Sequence, residues 1–435
     1  MIMRERALPT HRAARFGKFA SLATRVAGNV IAEGSKQWFK GERTQTRDLL
    51  LTPKNISRLT EQLAHLRGAA MKLGQMLSMD AGDIIEPELA DILARLRASA
   101  DPMPSKQLAK AMVDGLGESW KQHYLAFNFK PIASASIGQV HHAHSDSGDE
   151  LAVKVQYPGI RKSIDSDVDN VGTLLSVVGL VPKGIDFSGL LEEAKKQLHD
   201  EADYGREAEY AVRYRNYLEN DRDFVVPQII TEATCDTVLT MEFLNGIEIE
   251  TLASADQDTR DFVMTKLLGL LFREIFEFRV VQTDPNFANY LFLPETNQIG
   301  LLDFGACRDY NAVISDGYRN AFSSVVNQDN DGLNHALEQI GFFGEEINSE
   351  QRQSVLNLVS MACEPMLQYG CYDFKQSNLA QRLREAGTVL SMEEDYWHTP
   401  PVDALFLHRK IGGLYLLASR LNAKVDVRSL VLPHV

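Results

Sequence analysis

The sequence has few cysteines, no long apolar run and no excess of positive charge, and each shortage excludes a class of protein. Its 435 residues include four cysteines without a CxxC pair or a Cys/His ligand spacing, so neither a disulfide framework nor a structural zinc site is expected. The best uncharged apolar run, residues 171–182, is shorter than the roughly 18 residues of a membrane-spanning helix. A net charge of −14 argues against nucleic-acid binding, because phosphate backbones attract an excess of Lys and Arg.

Charge is distributed unevenly along the chain. Residues 1–47 hold ten basic and three acidic side chains, whereas the remainder is strongly acidic. Apolar positions from Phe16 onward recur at helical spacing among the basic ones, which is typical of a basic amphipathic helix. We expect this leader to be flexible or to bind an anionic membrane surface; a helix packed on the rest of the protein is the alternative. It lacks the apolar segment of a secretory signal peptide, so we expect a cytoplasmic protein, peripheral on the inner face of the cell membrane.

Hydrophobic periodicity divides the rest of the chain into three parts. Apolar side chains recur every three or four residues in a helical extension over residues 48–123. The predicted helices of this extension cover residues 55–79, 87–98 and 105–116. Short segments separated by Ser, Gly and Asp turns predict a β-rich lobe over residues 124–245, and a mainly helical lobe follows over residues 246–435.

The β-rich lobe is expected to contain an antiparallel meander and one long helix. Its predicted strands cover residues 127–132, 139–143, 150–156, 224–229 and 237–243. The helix is predicted around residues 190–219. In the helical lobe, a hairpin is predicted from strands at 290–293 and 299–302 with a turn between them.

Three polar side chains late in the chain have the spacing of a kinase catalytic site. Asp303 begins an Asp-Phe-Gly tripeptide after a predicted strand, and Asp284 and Asn289 have the D-x-x-x-x-N spacing of a catalytic loop. In a kinase the first Asp lies beside the attacking hydroxyl, while the Asn and the second Asp bind Mg²⁺, which prefers oxygen ligands. We therefore predict Asp284 as catalytic and Asn289 and Asp303 as metal ligands. Either residue type alone would indicate only a turn or a helix cap.

Lys154 ends a Leu-Ala-Val-Lys segment that matches the strand carrying the phosphate-binding lysine of kinases. Such a lysine needs a carboxylate on a facing helix, because burying one charge without the other costs about 3–5 kcal/mol. Glu207 is the best candidate for this partner, and both residues are predicted to belong to the catalytic machinery. Glu201 and Asp203 lie one to two turns earlier. An exposed lysine on an edge strand is the alternative interpretation.

A loop rich in Ala and Ser precedes the lysine strand, at the place of the glycine-rich loop of kinases. Only Gly138 remains of the kinase glycines, and Ala avoids positive φ, so a stiffer loop is expected. The residues of this loop that are predicted to bind nucleotide are Ala133, Ser134, Ala135, Ser136, Ile137 and Gly138. Met241 and Glu242 occupy the place of an interlobe hinge and are predicted to bind nucleotide together with Lys154. The loop by itself would indicate only a Ser/Ala hairpin.

The order of these elements favours one fold. Loop, lysine, glutamate, hinge, catalytic loop and Asp-Phe-Gly follow one another as they do in kinases. We predict an α+β, bilobal protein-kinase-like fold with an amino-terminal helical extension, binding ATP or ADP with Mg²⁺. After Gly305 the chain continues quickly into a helix without an A-P-E motif, so a docking platform for peptides is not expected.

Further motifs resemble the UbiB/AarF family of atypical kinases from about residue 50 to residue 425. The KxGQ signature of that family is matched by Lys72, Gly74 and Gln75, and its ExD motif by Glu201 and Asp203. The alanine-rich loop, the Thr-Asp-Pro-Asn form of the catalytic loop and residues 407–413 resemble the coenzyme-Q-biosynthesis (ADCK-type) members. Ser134 stands where the family loop is often Ala.

The resemblance implies that the KxGQ extension packs over the active site, with Lys72 reaching toward Glu201 and Asp203. It implies an ATPase or small-molecule kinase that supports ubiquinone biosynthesis, with quinone-biosynthesis enzymes and a membrane as partners. The chain lacks the spans of some members, so membrane contact is expected to be interfacial.

Two other functions are compatible with these residues. A conventional Ser/Thr protein kinase is disfavoured by the missing A-P-E motif and the Ala-rich loop. A nucleotide-sensing scaffold for quinone-biosynthesis enzymes would use the same metal and phosphate residues without turnover. No residue set singles out a phosphate acceptor, a lipid pocket or an oligomer interface.

Overall fold

The computed structural model describes two compact units. The residues described are 63, 66, 68–70, 72–73, 102–135, 137–177, 187–344, 347–392 and 400–435. Unit 1 contains the described residues up to Glu209 together with Gln228–Phe243, and unit 2 contains Tyr210–Pro227 and the described residues of Leu244–Val435. The predicted leader, the predicted helix at 87–98 and most of the predicted helix at 55–79 lie outside the described residues.

The regular elements of the described residues are numbered in chain order. The strands are β1 (Ala126–Ser134), β2 (Gly138–His144), β3 (Glu150–Gln156), β4 (Phe224–Val225), β5 (Val238–Glu242), β6 (Ile247–Glu248), β7 (Val280–Gln282), β8 (Tyr290–Leu293), β9 (Gln298–Leu301), β10 (Cys307–Asp309), β11 (Tyr372–Asp373) and β12 (Lys424–Val425). The α-helices are α1 (Ser105–Leu116), α2 (Ile160–Val177), α3 (Phe187–Glu201), α4 (Tyr204–Tyr217), α5 (Gln257–Arg273), α6 (Ala312–Val326), α7 (Asn330–Ile340), α8 (Ser349–Ala362), α9 (Glu364–Leu367), α10 (Leu379–Met392), α11 (Val402–Arg420) and α12 (Val427–Val431).

Unit 1 is built on an antiparallel sheet with the strand order β1-β2-β3-β5. The predicted meander is therefore confirmed, and the bounds of β3 and of α1 are those predicted. Leu108 and Met112 of α1 are fully buried with Val153 and Val155 of β3 in one core cluster. On this side, then, the helical extension covers one apolar face of the sheet.

The predicted helix at 190–219 is wrong as a single element, because the chain forms α3 and then α4. The break falls at Ala202 and Asp203, where the Asp203 carboxylate accepts a hydrogen bond from the Arg206 N–H at 3.1 Å. A short acidic side chain satisfies the free amides of a new helix start, so it favours a cap over helix continuation. The predicted strand at 224–229 is also too long: β4 ends at Val225, and the following Pro227 has no N–H for a ladder.

Unit 2 places two loops side by side through its strand pairing. The predicted hairpin is confirmed as β8 and β9, and these strands belong to a sheet with the order β4-β9-β8-β6. A separate pair joins β7 to β10, with Gln282 opposite Cys307. Because Tyr290 also pairs with Leu301, the loop from β7 to β8 and the loop from β9 to β10 run between the same two strand pairs.

Helix α5 leads into this loop region through an unusual turn. Its apolar residues pack into the core, and the helix then widens into a π-helical turn over Glu274–Phe278. Arg279 follows with a left-handed φ of 53° and redirects the chain into β7. π-Turns inside helices occur often at functional sites because they move side chains out of the regular helical positions. Here the turn contains the buried Glu274.

No helix within the described part of the chain combines the length and the hydropathy that crossing a membrane requires. Helix α2 contains the start of the apolar run noted in the sequence, and residues 178–186 lie outside the described part.

His408 of α11 makes stability depend on pH. Its ring packs against Phe342 at 5.3 Å and its Nε2 lies 2.7 Å from the Tyr318 hydroxyl. Burial lowers the pKa of His408 from 6.5 to about 4. Below pH 6.5, His408 is therefore protonated in the unfolded chain but stays neutral in the folded chain. The free energy of unfolding should fall by about 2 kcal/mol from pH 6.5 to pH 5.

Urea unfolding of wild type and His408→Gln at several pH values tests this expectation. The variant should lose that part of the pH dependence. The control His335→Gln, at an exposed position on α7, should keep it. If the free energy of unfolding of His408→Gln depends on pH as steeply as that of wild type, His408 is not the group responsible.

Candidate active site

The lysine predicted to bind phosphate forms a buried ion pair within unit 1. Lys154 Nζ of β3 donates to both carboxylate oxygens of Glu207 on α4, at 2.8 and 2.9 Å, and Glu207 is only 1% exposed. The Lys154 ammonium also lies 5.1 Å from the ring centroid of buried Tyr204. Of the three carboxylates considered, the structure places Glu207 bidentate against Lys154, which fixes the ammonium on one face of the sheet.

The ExD residues lie at the junction between α3 and α4, and their partners differ. Lys72, which is 3% exposed, forms an ion pair with Glu201 Oε1. Asp203 caps α4 and forms an ion pair with Arg161 at 3.2 Å. The structure thus ties the KxGQ lysine to the first acid of ExD, within unit 1. Gly74 and Gln75 lie outside the described residues.

The alanine-rich loop is a tight connection between β1 and β2. Ala133 pairs with Val140, Ser134 pairs with Gln139, and the Ala135 N–H donates to the Gly138 carbonyl oxygen at 2.9 Å. Ser136 lies outside the described residues, and Ile137 is buried.

Only glycine fits at the end of this loop. A Cβ atom at Gly138 would lie 2.6 Å from the Val155 carbonyl oxygen and 2.7 Å from the Tyr204 hydroxyl oxygen. The close approach of backbone to backbone therefore explains why this one glycine stands in an otherwise Ala/Ser loop.

The hinge residues lie at the end of β5. Met241 pairs with Ala152 and is buried, whereas the side chain of Glu242 is exposed. Glu242 is held at its backbone, because its N–H donates to the Gln228 carbonyl oxygen at 2.9 Å.

In unit 2, the predicted catalytic and metal residues come together at the paired loops. Asn289 Nδ2 donates to Asp284 Oδ2 at 3.1 Å, which turns the amide oxygen of Asn289 away from that carboxylate. Asn289 and Asp303 line the same small cavity, although one follows β7 and the other follows β9. The Gly305 N–H donates to Asp303 Oδ1 at 3.0 Å and orients this carboxylate.

These donors fit Mg²⁺ by their chemistry. Asp303 and Asn289, two of the residues that line the cavity, carry a carboxylate and a carboxamide oxygen, both hard oxygen ligands, and Mg²⁺ usually takes one or two carboxylates in addition to phosphate and water. The residues that fit Mg²⁺ are Asn289 and Asp303 of unit 2, and Asp284 is hydrogen-bonded to Asn289.

A buried polar network that lines the same cavity holds these loops, and local spacing in the sequence does not reveal its pairing. Lys410 Nζ of α11 donates to the Tyr290 hydroxyl at 2.7 Å and to Gln282 Oε1 at 3.1 Å, and lies 3.7 Å from Glu274 Oε2. Gln282 Nε2 in turn donates to the Asp303 carbonyl oxygen at 3.1 Å. Two hydrogen bonds thus connect the buried ammonium to the backbone of the predicted metal ligand.

The charge of Lys410 is maintained by its surroundings. Burial opposes the ammonium, but the Glu274 carboxylate and the Tyr290 hydroxyl outweigh it and raise the pKa of Lys410 above its usual value. Glu274 also accepts a hydrogen bond from the Tyr214 hydroxyl at 2.7 Å. Two signals were present in the sequence: residues 407–413 resemble the coenzyme-Q-biosynthesis members, and Lys410 stands at helical spacing with Leu407 and Leu414, on the buried face of α11.

Two neighbours of Lys410 on α11 contact the catalytic loop directly. The Arg409 guanidinium, 6% exposed, lies 3.8 Å from Asp284 Oδ1. Gly413 faces Pro285. A Cβ atom on Gly413 would overlap the Pro285 ring and would lie 3.4 Å from the Pro285 Cα. Helix α11 therefore supports the loop that carries Asp284.

Comparisons with known proteins identify the family that the chain resembles over most of its length. The family model of the ABC1 atypical kinase-like domain matches residues 95–337. This range includes the site residues described above for unit 1 and unit 2, except Lys72 and the residues of α11. The chain is 37% identical to the mitochondrial atypical kinase COQ8B of Danio rerio over 99% of this chain and 69% of that protein. It is 35% identical to the mitochondrial atypical kinase COQ8 of Saccharomyces cerevisiae, over 98% and 85%.

Among solved structures, the chain is similar to Rv3197 of Mycobacterium tuberculosis, solved as a complex with erythromycin. The TM-score is 0.62 at 25% identity, covering 88% of this chain and 96% of that one.

The two adjacent glycines of α11 should respond in opposite directions to the same substitution. Gly413→Ala should lower the free energy of unfolding by about 1–3 kcal/mol, because the new methyl group collides with the Pro285 ring. Gly412→Ala should raise it by about 0.5–1 kcal/mol, because no atom lies within 4 Å and Ala favours the helix. Urea unfolding measures both, and hydrogen exchange of residues 283–289 should accelerate in Gly413→Ala alone. Equal effects of the two substitutions would contradict the packing.

Removing the buried ammonium should be far more costly than removing an exposed one. Lys410→Met leaves the buried Glu274 carboxyl group without its cation and should lower the free energy of unfolding by about 3–5 kcal/mol. The double variant Lys410→Met/Glu274→Gln should recover a substantial part of this loss, since no buried charge is then uncompensated.

The control is Lys424→Met, which removes a half-exposed ammonium 3.6 Å from Asp373 and should change stability by less than about 1 kcal/mol. Chemical denaturation of all variants gives the comparison. The described coupling of the pair would be contradicted by either of two results. One is that Lys410→Met loses no more free energy of unfolding than the control. The other is that the double variant is less stable than Lys410→Met.

Proposed function

The chain belongs to the UbiB/AarF family of ABC1 atypical kinases, with their protein-kinase-like fold, and from this premise we propose that it binds Mg-ATP to support ubiquinone biosynthesis. We propose that it acts on a small molecule or by ATP hydrolysis, and not on peptides. The observation that carries the proposal is the cavity in unit 2 lined by both Asn289 and Asp303, with Asp284 hydrogen-bonded to Asn289.

In this proposal each residue of unit 2 has a separate role. Asp303 and Asn289 bind Mg²⁺ through a carboxylate and an amide oxygen, and the bound ion supplies charge neutralisation on the phosphates. Asp284 orients the attacking hydroxyl or water and takes up its proton. The Arg409 guanidinium lies 3.8 Å from Asp284 Oδ1 and helps to orient that carboxylate.

The proposed phosphate contact of unit 1 is Lys154. Its ammonium is fixed by two hydrogen bonds to Glu207, which restrict its position. The alanine-rich loop, residues 133–138, and the hinge residues Met241 and Glu242 are the proposed contacts of the nucleotide itself. Lys72, paired with Glu201, supports a regulatory role for the KxGQ segment.

The preference for a non-peptide substrate is supported by the segment after Asp-Phe-Gly. Strand β10 follows Gly305 directly, and α6 begins at Ala312, where the Asn311 side chain accepts a hydrogen bond from the Ile314 N–H at 3.0 Å. A protein kinase uses a long activation segment at this point to dock its peptide. The few residues between Gly305 and Ala312 are occupied by a strand and a helix cap.

The biological role is proposed from the relatives. Proteins named atypical kinase COQ8 match nearly the whole chain, and the Thr-Asp-Pro-Asn loop is the form of the coenzyme-Q-biosynthesis members. Quinone-biosynthesis enzymes and an anionic membrane surface are the proposed partners. The division into leader, extension and two lobes, the peripheral location and the membrane contact of residues 1–47 stay predictions.

Substitution of the proposed metal ligand tests the function. Asp303→Asn should lower ATP turnover by the purified chain roughly 10²–10³-fold, because a positioned charge in the transition state is lost. It should also fail to restore quinone in cells that lack the gene. The control is Asp316→Asn, an exposed aspartate on α6 paired with Arg279, which should leave both unchanged.

The alternatives predict different results. If Asp284→Asn restores cellular quinone while Asp303→Asn abolishes it together with nucleotide binding, the protein is a nucleotide-sensing scaffold. Efficient phosphorylation of generic peptides would indicate a conventional protein kinase. Absence of ATP hydrolysis by the wild type, even with membranes or quinone-precursor-like phenols present, would overturn the enzymatic proposal.

A further inference from the structure

Unit 1 brings together a second group of metal-ligating side chains, separate from the residues discussed above. His142 and His144 of β2 and Glu150 of β3 each offer one ligand atom, and these atoms lie within 4.8 Å of one another. His142 and His144 are two residues apart on a strand, so their side chains project from the same face. Glu150 pairs directly with His144 in the antiparallel register and joins them on that face.

The strand ends hold this group in place. His142 Nε2 already lies 3.2 Å from Glu150 Oε1. The His142 ring packs edge-on against Phe243 at 5.0 Å and against the His144 ring at 4.9 Å. The Phe243 N–H donates to the Glu150 carbonyl oxygen at 2.9 Å, which fixes the backbone of the carboxylate ligand.

We propose that His142, His144 and Glu150 form a binding site for a divalent transition-metal ion of the Zn²⁺ class. Two imidazoles and one carboxylate are a ligand set that Zn²⁺ accepts, and it leaves a fourth position for water or another ligand. Tetrahedral ligands at about 2.0–2.2 Å from the ion lie about 3.4 Å apart, so the ligand atoms need to close by little more than 1 Å. Imidazole is a poor ligand for Mg²⁺, so the site selects against the ion proposed for unit 2.

The proposed site does not coincide with the phosphate lysine. Every second residue of β3 lies on the same face, and one face therefore carries Glu150, Ala152 and Lys154. The metal group and the Lys154 ammonium share that face. Lys154 stands four positions after Glu150 on the strand, a distance of about 13 Å. An ion at this site therefore clamps β2 to β3 at the end opposite Gly138 without using any proposed nucleotide contact.

Metal titration of the full-length chain tests the proposal. The protein is stripped with a chelator, kept in Mg²⁺ to fill oxygen sites, and titrated with Zn²⁺ by calorimetry. One equivalent should bind per chain, and His142→Ala and His144→Ala should each weaken it about 100-fold. Glu150→Gln, which keeps shape and removes the charge, should weaken it about tenfold or more.

The matched control is His199→Ala, which removes a half-exposed histidine paired with Asp165 at 2.9 Å and should leave Zn²⁺ binding unchanged. Two further readouts separate binding from folding. Bound Co²⁺ should give the visible absorption of a tetrahedral site in wild type and not in His142→Ala. Zn²⁺ should raise the thermal midpoint of wild type and of His199→Ala, and not that of His142→Ala.

Circular dichroism of the metal-free variants checks that they are folded, and Glu150→Gln is the variant least able to disturb the sheet. Wild-type affinity no tighter than that of the double variant His142→Ala/His144→Ala would overturn the proposal. Equal loss in His199→Ala would overturn it as well.

Discussion

Within the described part of the chain, Lys72, Lys154 and Lys410 are largely or fully buried, and each lies beside a glutamate. Lys72 pairs with Glu201, Lys154 with Glu207, and Lys410 lies 3.7 Å from Glu274. A buried charge without a partner costs several kcal/mol, so each lysine requires its glutamate to be in place. Because the members of every pair come from distant segments, the pairs fix how those segments meet within their unit.

The pair of Lys410 and Glu274 shows how one buried ion pair determines the positions of the residues around it. Glu274 reaches its position because α5 ends in a π-helical turn, and Lys410 reaches it because α11 is buried on that face. The ammonium then orients Gln282 and Tyr290, and Gln282 holds the backbone of Asp303. The neighbouring Gly413 allows the same helix to pack against the loop of Asp284. Support for both loops thus comes from a single helix near the end of the chain.

Local periodicity predicted those elements whose residues interact mainly with near neighbours. The bounds of α1 and β3, and the β8–β9 hairpin to within one residue, were predicted because apolar spacing and turn residues act over a few positions. The same reasoning missed the break between α3 and α4, since a single capping aspartate interrupts an otherwise continuous helical pattern. It also missed the buried network of Lys410, because the partner of a buried charge is not visible from local spacing.

The sequence by itself determined the order and spacing of the chemical groups. The five-residue interval between Asp284 and Asn289, the lysine on its strand and the Asp-Phe-Gly after another strand indicated a kinase before any contact was known. Only the tertiary structure decided which carboxylate meets Lys154, and that Asn289 and Asp303 line one cavity. Spacing constrains residues that share an element, whereas pairing between distant segments depends on the packing of the whole unit and on the free energy of burying polar groups.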